Sequence, residues 1–187
     1  MPVAETASYF NECIVFSDAI QRAATKEEKL ALLESQLRKA SITVCDSFSR
    51  YLFETKIFEN REAQFMHADT LCQMMLQAQD RAYGDGLATE CKHPYMWLCR
   101  SHYYGFTFYN YPYIFGALLT RGLYARYQQE GAAFVPKYKK MLYATSVATP
   151  KDAAKEAGLD LTDKNFWRMA MKTYADQIDE FCKLVEE

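Results

Sequence analysis

The chain has 187 residues, half of them hydrophobic and a quarter charged, a composition that folds rather than stays disordered. Its formal net charge of −2 offers no basic footprint for nucleic acid, and no apolar run approaches the roughly 18 residues of a membrane span. Residues 1–6, M-P-V-A-E-T, have neither the basic nor the apolar region of a signal peptide, and Cys13, Cys45, Cys72, Cys91, Cys99 and Cys182 form no C-x-x-C pair. Scattered thiols in a chain of this composition point to a reduced, cytoplasmic setting rather than a disulfide framework.

Nearly every segment reads as helix. The first is predicted from Ala4 to about Ala23, a stretch without Gly or Pro. Thr25 with Glu28 three residues on forms a capping box that opens the second. Leu30, Leu33, Leu37, Ala40, Val44, Phe48 and Tyr51 follow at spacings of three and four, one amphipathic stripe extending to about Phe58. A third helix is predicted from Asp69 to Ala82, stopped by the turn Tyr83-Gly84-Asp85-Gly86, and a short one from Pro94 to His102. Pro112 sits in the first turn of a helix that ends at Gly131, and another spans Phe134 to Ala144. Thr149, Pro150 and Asp152 announce a short helix ended by Gly158. Asp163 or Thr162 caps the last, whose face is Trp167, Met171, Tyr174, Ile178, Phe181 and Val185. No alternating strand, repeat or linker interrupts the series, so the expectation is an all-α, multi-helix bundle in a single domain over 1–187.

Two stretches carry candidate chemistry. In S-H-Y-Y-G-F-T-F-Y-N-Y-P-Y-I-F-G, Ser101 to Gly116, eight aromatics crowd behind His102, five of them tyrosines: Tyr103, Tyr104, Tyr109, Tyr111 and Tyr113. A buried phenol needs a hydrogen-bond partner, so plain core would use Phe or Leu, whereas phenols beside an imidazole suit a wet cleft with a polar ligand. The plainer alternative is an aromatic segment that only packs its neighbours. Glu5, Ser8 and Glu12 lie at i, i+3 and i+7 on one helical face, a pair of carboxylates with a hydroxyl, or else an ordinary solvated helix start. Cys91, His93, Cys99 and His102 could be strung into a metal site, but their spacing matches no common zinc pattern, and the Cys99–His102 pair has no third, orienting group. No phosphate loop, G-x-S-x-G or H-E-x-x-H occurs.

These two stretches also carry a resemblance. P-V-A-E-T-A-S-Y-F-N-E, Pro2 to Glu12, is similar to the helix bearing the third zinc ligand in oligoendopeptidase F and the thimet-oligopeptidase-like zinc metallopeptidases. H-Y-Y-G-F-T-F-Y-N-Y-P-Y-I-F-G resembles that family's substrate-binding stretch, and A-G-L-D-L-T-D-K-N-F-W resembles the segment before its last helix. The resemblance implies that Glu5 is a zinc ligand of the complete enzyme and that Glu12 is an outer-shell group behind it. It implies that His102 contacts the substrate near the scissile carbonyl, with Tyr104 and Tyr109 as further substrate contacts. Tyr109, Tyr111 and Tyr113 fall where tyrosines steady the tetrahedral intermediate, and the segment has one residue more than the family's usual spacing.

The family's H-E-x-x-H helix, with its two imidazole ligands and general base, is missing. The resemblance therefore implies the C-terminal part of a catalytic domain that hydrolyses short peptides when complete. Alone it is expected to be inactive and to bind no zinc of its own. Its expected partners are short peptides, with either a chain supplying the H-E-x-x-H helix or a second copy of itself. The alternative is a non-enzymatic helical module that keeps the peptide groove.

Overall fold

The computed structural model of the chain describes residues 2–63 and 65–186. Among these the backbone forms helices and turns and no strand, so the all-α expectation holds. The helices are α1 (Thr6–Arg22), α2 (Lys26–Ser41), α3 (Ser47–Asn60), α4 (Ala68–Tyr83), α5 (His102–Gly105), α6 (Tyr111–Glu130), α7 (Val135–Ala144), α8 (Pro150–Glu156) and α9 (Lys164–Glu186). None of the described helices is long and apolar enough to cross a membrane. The backbone groups into two compact units, the residues up to Lys39 with those from Phe115 onward, and Ala40–Ile114; the division falls within α2 and within α6.

In the first unit, Phe10 of α1, Leu119 and Leu123 of α6, Phe134, Met141 of α7, Ala153 and Ala154 of α8, Ala157 and Leu159 form the buried core. Phe10 stacks on Tyr138 with ring centroids 4.4 Å apart and meets Tyr127 edge-on at 6.1 Å. The sequence signals at the helix ends are realised. The Glu28 amide donates to Thr25 Oγ1 at 3.1 Å, while the Glu28 carboxylate accepts from the Ala24 amide at 2.9 Å. Thr149 Oγ1 accepts from the Asp152 amide at 3.2 Å. Gly158, at φ +73°, closes α8: its N–H donates to Lys155 O at 2.9 Å and that of Leu159 to Ala154 O at 3.1 Å, the two bonds of a Schellman end. Asp163 caps α9 by accepting from the Asn165 amide at 2.9 Å. Of the face expected for α9, Trp167, Tyr174 and Phe181 are half-buried, but Met171, Ile178 and Val185 are exposed and Ala170 is buried instead. Phe166 lies where a β-carbon on Gly122 would stand, and this missing side chain on α6 sets the face that α9 turns inward.

In the second unit α3 packs on α4 around Phe53, Met75 and Ala78, with Leu52, Ile57, Leu71, Trp97 and Tyr103 against them. The stripe expected to run unbroken to Phe58 is interrupted by a five-residue π-helical stretch, Ile42–Asp46. The wider π turn carries one residue more than an α turn, which rotates the buried face by a position. Thr43, Asp46, Ser47, Arg50 and Glu54 are therefore buried, whereas Tyr51 of the expected stripe is exposed. The helix expected from Pro94 to His102 is absent: Thr89–Cys91 and Met96–Leu98 are 3-10 turns and α5 has four residues. The buried Gln79 side chain holds the chain ahead of these turns. It accepts from the His93 amide at 3.0 Å and donates to the His93 carbonyl at 2.9 Å, and that carbonyl also accepts from the Met96 amide at 3.2 Å in an i,i+3 turn.

Candidate functional site

The aromatic segment of the second unit folds as α5, a turn through residues 106–110 and the first turn of α6. Three of the candidate residues meet there. His102 Nε2 lies 3.1 Å from the Tyr113 hydroxyl, a hydrogen bond in which either can donate according to the imidazole tautomer. The Tyr109 ring stacks on the His102 ring at 5.8 Å and 20°, and Tyr113 stands nearly perpendicular to both, 5.8 Å from His102 and 5.7 Å from Tyr109. When Nε2 is protonated it donates to the Tyr113 oxygen; when it is not, it accepts from the Tyr113 hydroxyl. All three side chains are half-buried. Tyr111 makes no ring contact with His102 among the described residues. Tyr104 donates its hydroxyl to the Trp97 carbonyl at 3.1 Å and lines an apolar groove of about 720 Å³ with Phe53, Ile57, Leu71, Trp97 and Tyr103.

Beneath the segment lies a column of charge on one helical face. Asp46, Arg50 and Glu54 recur every four residues and all are buried. Arg50 pairs with Asp46, and the Arg100 guanidinium approaches the same carboxylate at 3.5 Å. Glu54 accepts from the Phe108 amide at 2.7 Å and from Asn110 Nδ2 at 3.2 Å. Phe108 holds φ +53°, which L-residues other than Asn and Asp seldom adopt, and its ring packs on Phe58 at 4.9 Å and Tyr51 at 6.0 Å. Burial raises the Tyr103 hydroxyl above its ordinary value near 10, with Arg50 opposing and Glu54 and Asp46 adding to the rise. Burial likewise pushes the Tyr83 hydroxyl up to about 12, helped by Asp46 and Cys45. The column escaped the sequence reading; its signal is a set of charges four residues apart, inside a helix and interrupting an apolar stripe.

The carboxylate pair belongs to the first unit. Glu5 occupies the N-cap position ahead of α1 rather than its interior, and the Ser8 hydroxyl lies 2.8 Å from the Glu5 carbonyl and 3.3 Å from its carboxylate. Gly116 of α6 seats this turn: a β-carbon on it would fall 3.3 Å from the backbone of Glu5 and of Thr6. Thr120 Oγ1 donates to the Thr6 carbonyl at 3.0 Å. Glu12 is ion-paired with Lys39 of α2.

Zinc sites of catalytic type use about three protein ligands. Among the described residues no three His, Cys, Asp or Glu side chains gather where they could hold a metal. Glu5 by itself does not make such a site, and the string Cys91, His93, Cys99 and His102 does not close into one.

The profile of peptidase family M3 matches residues 1–173 of the chain. The chain belongs to this family. Oligopeptidase PepF of Bacillus subtilis (strain 168) is 26% identical over 184 residues, covering 98% of this chain and 27% of the relative. The chromosomal Oligoendopeptidase F of Lactococcus lactis subsp. cremoris is 25% identical over 186 residues, 99% of this chain and 31% of the relative. The chain thus spans less than a third of the length of these curated relatives. No solved structure matches it.

Proposed function

We propose that this chain supplies the peptide-binding part of an M3 oligopeptidase that, when complete, hydrolyses short peptides. The observation that carries the proposal is the His102–Tyr109–Tyr113 cluster, within a chain that belongs to a peptidase family. A peptide backbone offers carbonyl oxygens, and phenol and imidazole hydrogens at fixed positions are suited to receive them. A donor aimed at an oxygen that gains charge during attack on the carbonyl stabilises the transition state more than the ground state. In this reading Tyr113 donates to the carbonyl oxygen, His102 supports it through the Nε2 hydrogen bond, and Tyr109 fixes the imidazole plane by stacking. Tyr104 at the apolar groove faces a side chain of the peptide. Glu5 is the carboxylate this chain offers to the zinc of the complete enzyme, whose other donors and water-activating base must come from an H-E-x-x-H segment. Glu12, held by Lys39, braces the helix behind Glu5.

Binding of a fluorescently labelled octapeptide to the purified chain, followed by anisotropy, tests this reading. Loss of one hydrogen bond in a partly desolvated site weakens affinity by roughly tenfold. His102→Ala and Tyr113→Phe are each expected to reach that figure, while Tyr111→Phe stays at the parent value. Equal affinities in all three variants would sink the assignment of the cluster to peptide binding.

A further inference from the structure

We propose that Glu54 is the positioning residue of the His102–Tyr109–Tyr113 cluster, an inference that rests on the reading of that cluster as the peptide site. Glu54 lies on α3, is 3% exposed, and has its carboxylate oxygens on the Phe108 amide at 2.7 Å and Asn110 Nδ2 at 3.2 Å. A buried carboxylate is costly and gives no packing advantage over leucine, so its presence points to the groups it holds. Those two residues flank Tyr109. The carboxylate thus pins the chain on both sides of the ring that stacks on His102, and the same turn runs on into α6, which carries Tyr113.

Three further features fit a platform rather than generic core. Tyr51, Glu54 and Phe58 share one face of α3 at spacings of three and four, and the two rings bracket the Phe108 ring while the carboxylate takes its amide. Phe108 keeps a left-handed backbone that an unrestrained phenylalanine would leave, so the turn needs an external hold. Asn110 is fully buried, and the Glu54 hydrogen bond takes up one end of its side-chain amide.

The test uses the purified chain with Glu54→Gln, Glu54→Leu and the double variant Glu54→Gln/Asn110→Asp. The glutamine of the single variant can still accept from the Phe108 amide, but its amide nitrogen cannot accept from Asn110. In the double variant that nitrogen donates to the introduced aspartate, which restores the second bond with reversed polarity. The readouts are the His102 ring-proton signals in NMR, displaced by the stacked Tyr109 ring, and the affinity for the labelled octapeptide. Glu54→Gln and Glu54→Leu are expected to move the His102 signals and weaken the peptide roughly tenfold, the weight of one charge-assisted hydrogen bond. The double variant is expected to return both readouts towards the parent. Unmoved His102 signals in the folded single variants would overturn the proposal. So would a Glu54→Gln chain that fails to fold, since Glu54 would then serve the fold alone. A parent chain that binds no peptide, with His102 signals still dependent on Glu54, would keep the positioning role and sink the peptide reading instead.

Discussion

Replacing Gly116 by alanine measures how tightly the turn bearing Glu5 is seated. The added β-carbon would lie 3.3 Å from the carbonyl carbon and Cβ of Glu5 and 3.3 Å from the amide nitrogen of Thr6. Two of these three are backbone atoms, and the adjoining Thr6 carbonyl is tied to α6 by the Thr120 hydroxyl at 3.0 Å, so no flexible side-chain end can swing aside. The start of α1 must give by a few tenths of an ångström. Overpacking of this kind costs about 1–3 kcal/mol, whereas alanine in place of glycine inside a helix returns about 1 kcal/mol. The expected net loss is about 0–2 kcal/mol, read from urea unfolding followed by far-ultraviolet circular dichroism with an unchanged slope. A Gly116→Ala chain more stable than its parent by the full ~1 kcal/mol of helix propensity would refute the close approach.

Asp46→Ala takes the paired carboxylate from the buried Arg50 and is expected to cost about 3–5 kcal/mol. Asp46→Leu/Arg50→Met, which removes both charges, is expected to lose less than the single variant in the same urea assay; a larger loss would show that the pair is a net stabiliser. Alkali should weaken the fold through Tyr83, pushed up to about 12, and Tyr103, also raised. An unfolded tyrosine ionises near 10, so above that pH the unfolded chain releases phenol protons that the folded chain keeps. Stability is therefore intact below about pH 10 and falls as the pH climbs from 10 towards 12. Phenolate absorbance recorded beside circular dichroism checks this, and complete ionisation of all 14 tyrosines with the helices still intact would contradict it.

Local signals carried most of the helical order. Thr25 with Glu28, Thr149 before Pro150, Asp163 and the turn glycine Gly158 act within a few residues, so their hydrogen bonds are legible from spacing alone. Tertiary choices were less visible. The π-helical stretch at Ile42–Asp46 shifts the buried face by one residue, which exchanges Tyr51 for Arg50 and Glu54 in the interior. Nothing in the run of apolar residues marks that insertion. The Gln79 side chain that holds the His93 backbone ahead of the turns before His102 comes from fourteen residues away. His102 and its five neighbouring tyrosines stand out in the sequence because phenols are poor core residues, but that reasoning does not single out Tyr109 and Tyr113, whose rings meet His102. It could not separate them from Tyr111, since which tyrosines meet His102 depends on the left-handed turn at Phe108. Glu54, which shapes that turn, sits 54 residues before Phe108 and looked like one more helical acid.

The chain has three histidines, His67, His93 and His102, and this makes one measurement decisive. An unlabelled octapeptide titrated into the purified chain, with each histidine ring followed by NMR, reports directly on where the peptide lands. The His102 signals are expected to shift and saturate along the same curve as the anisotropy, while His67 and His93 stay in place. A peptide that binds with His102 unmoved, or that shifts the other two histidines instead, would contradict the assignment of the peptide site to the His102–Tyr109–Tyr113 cluster.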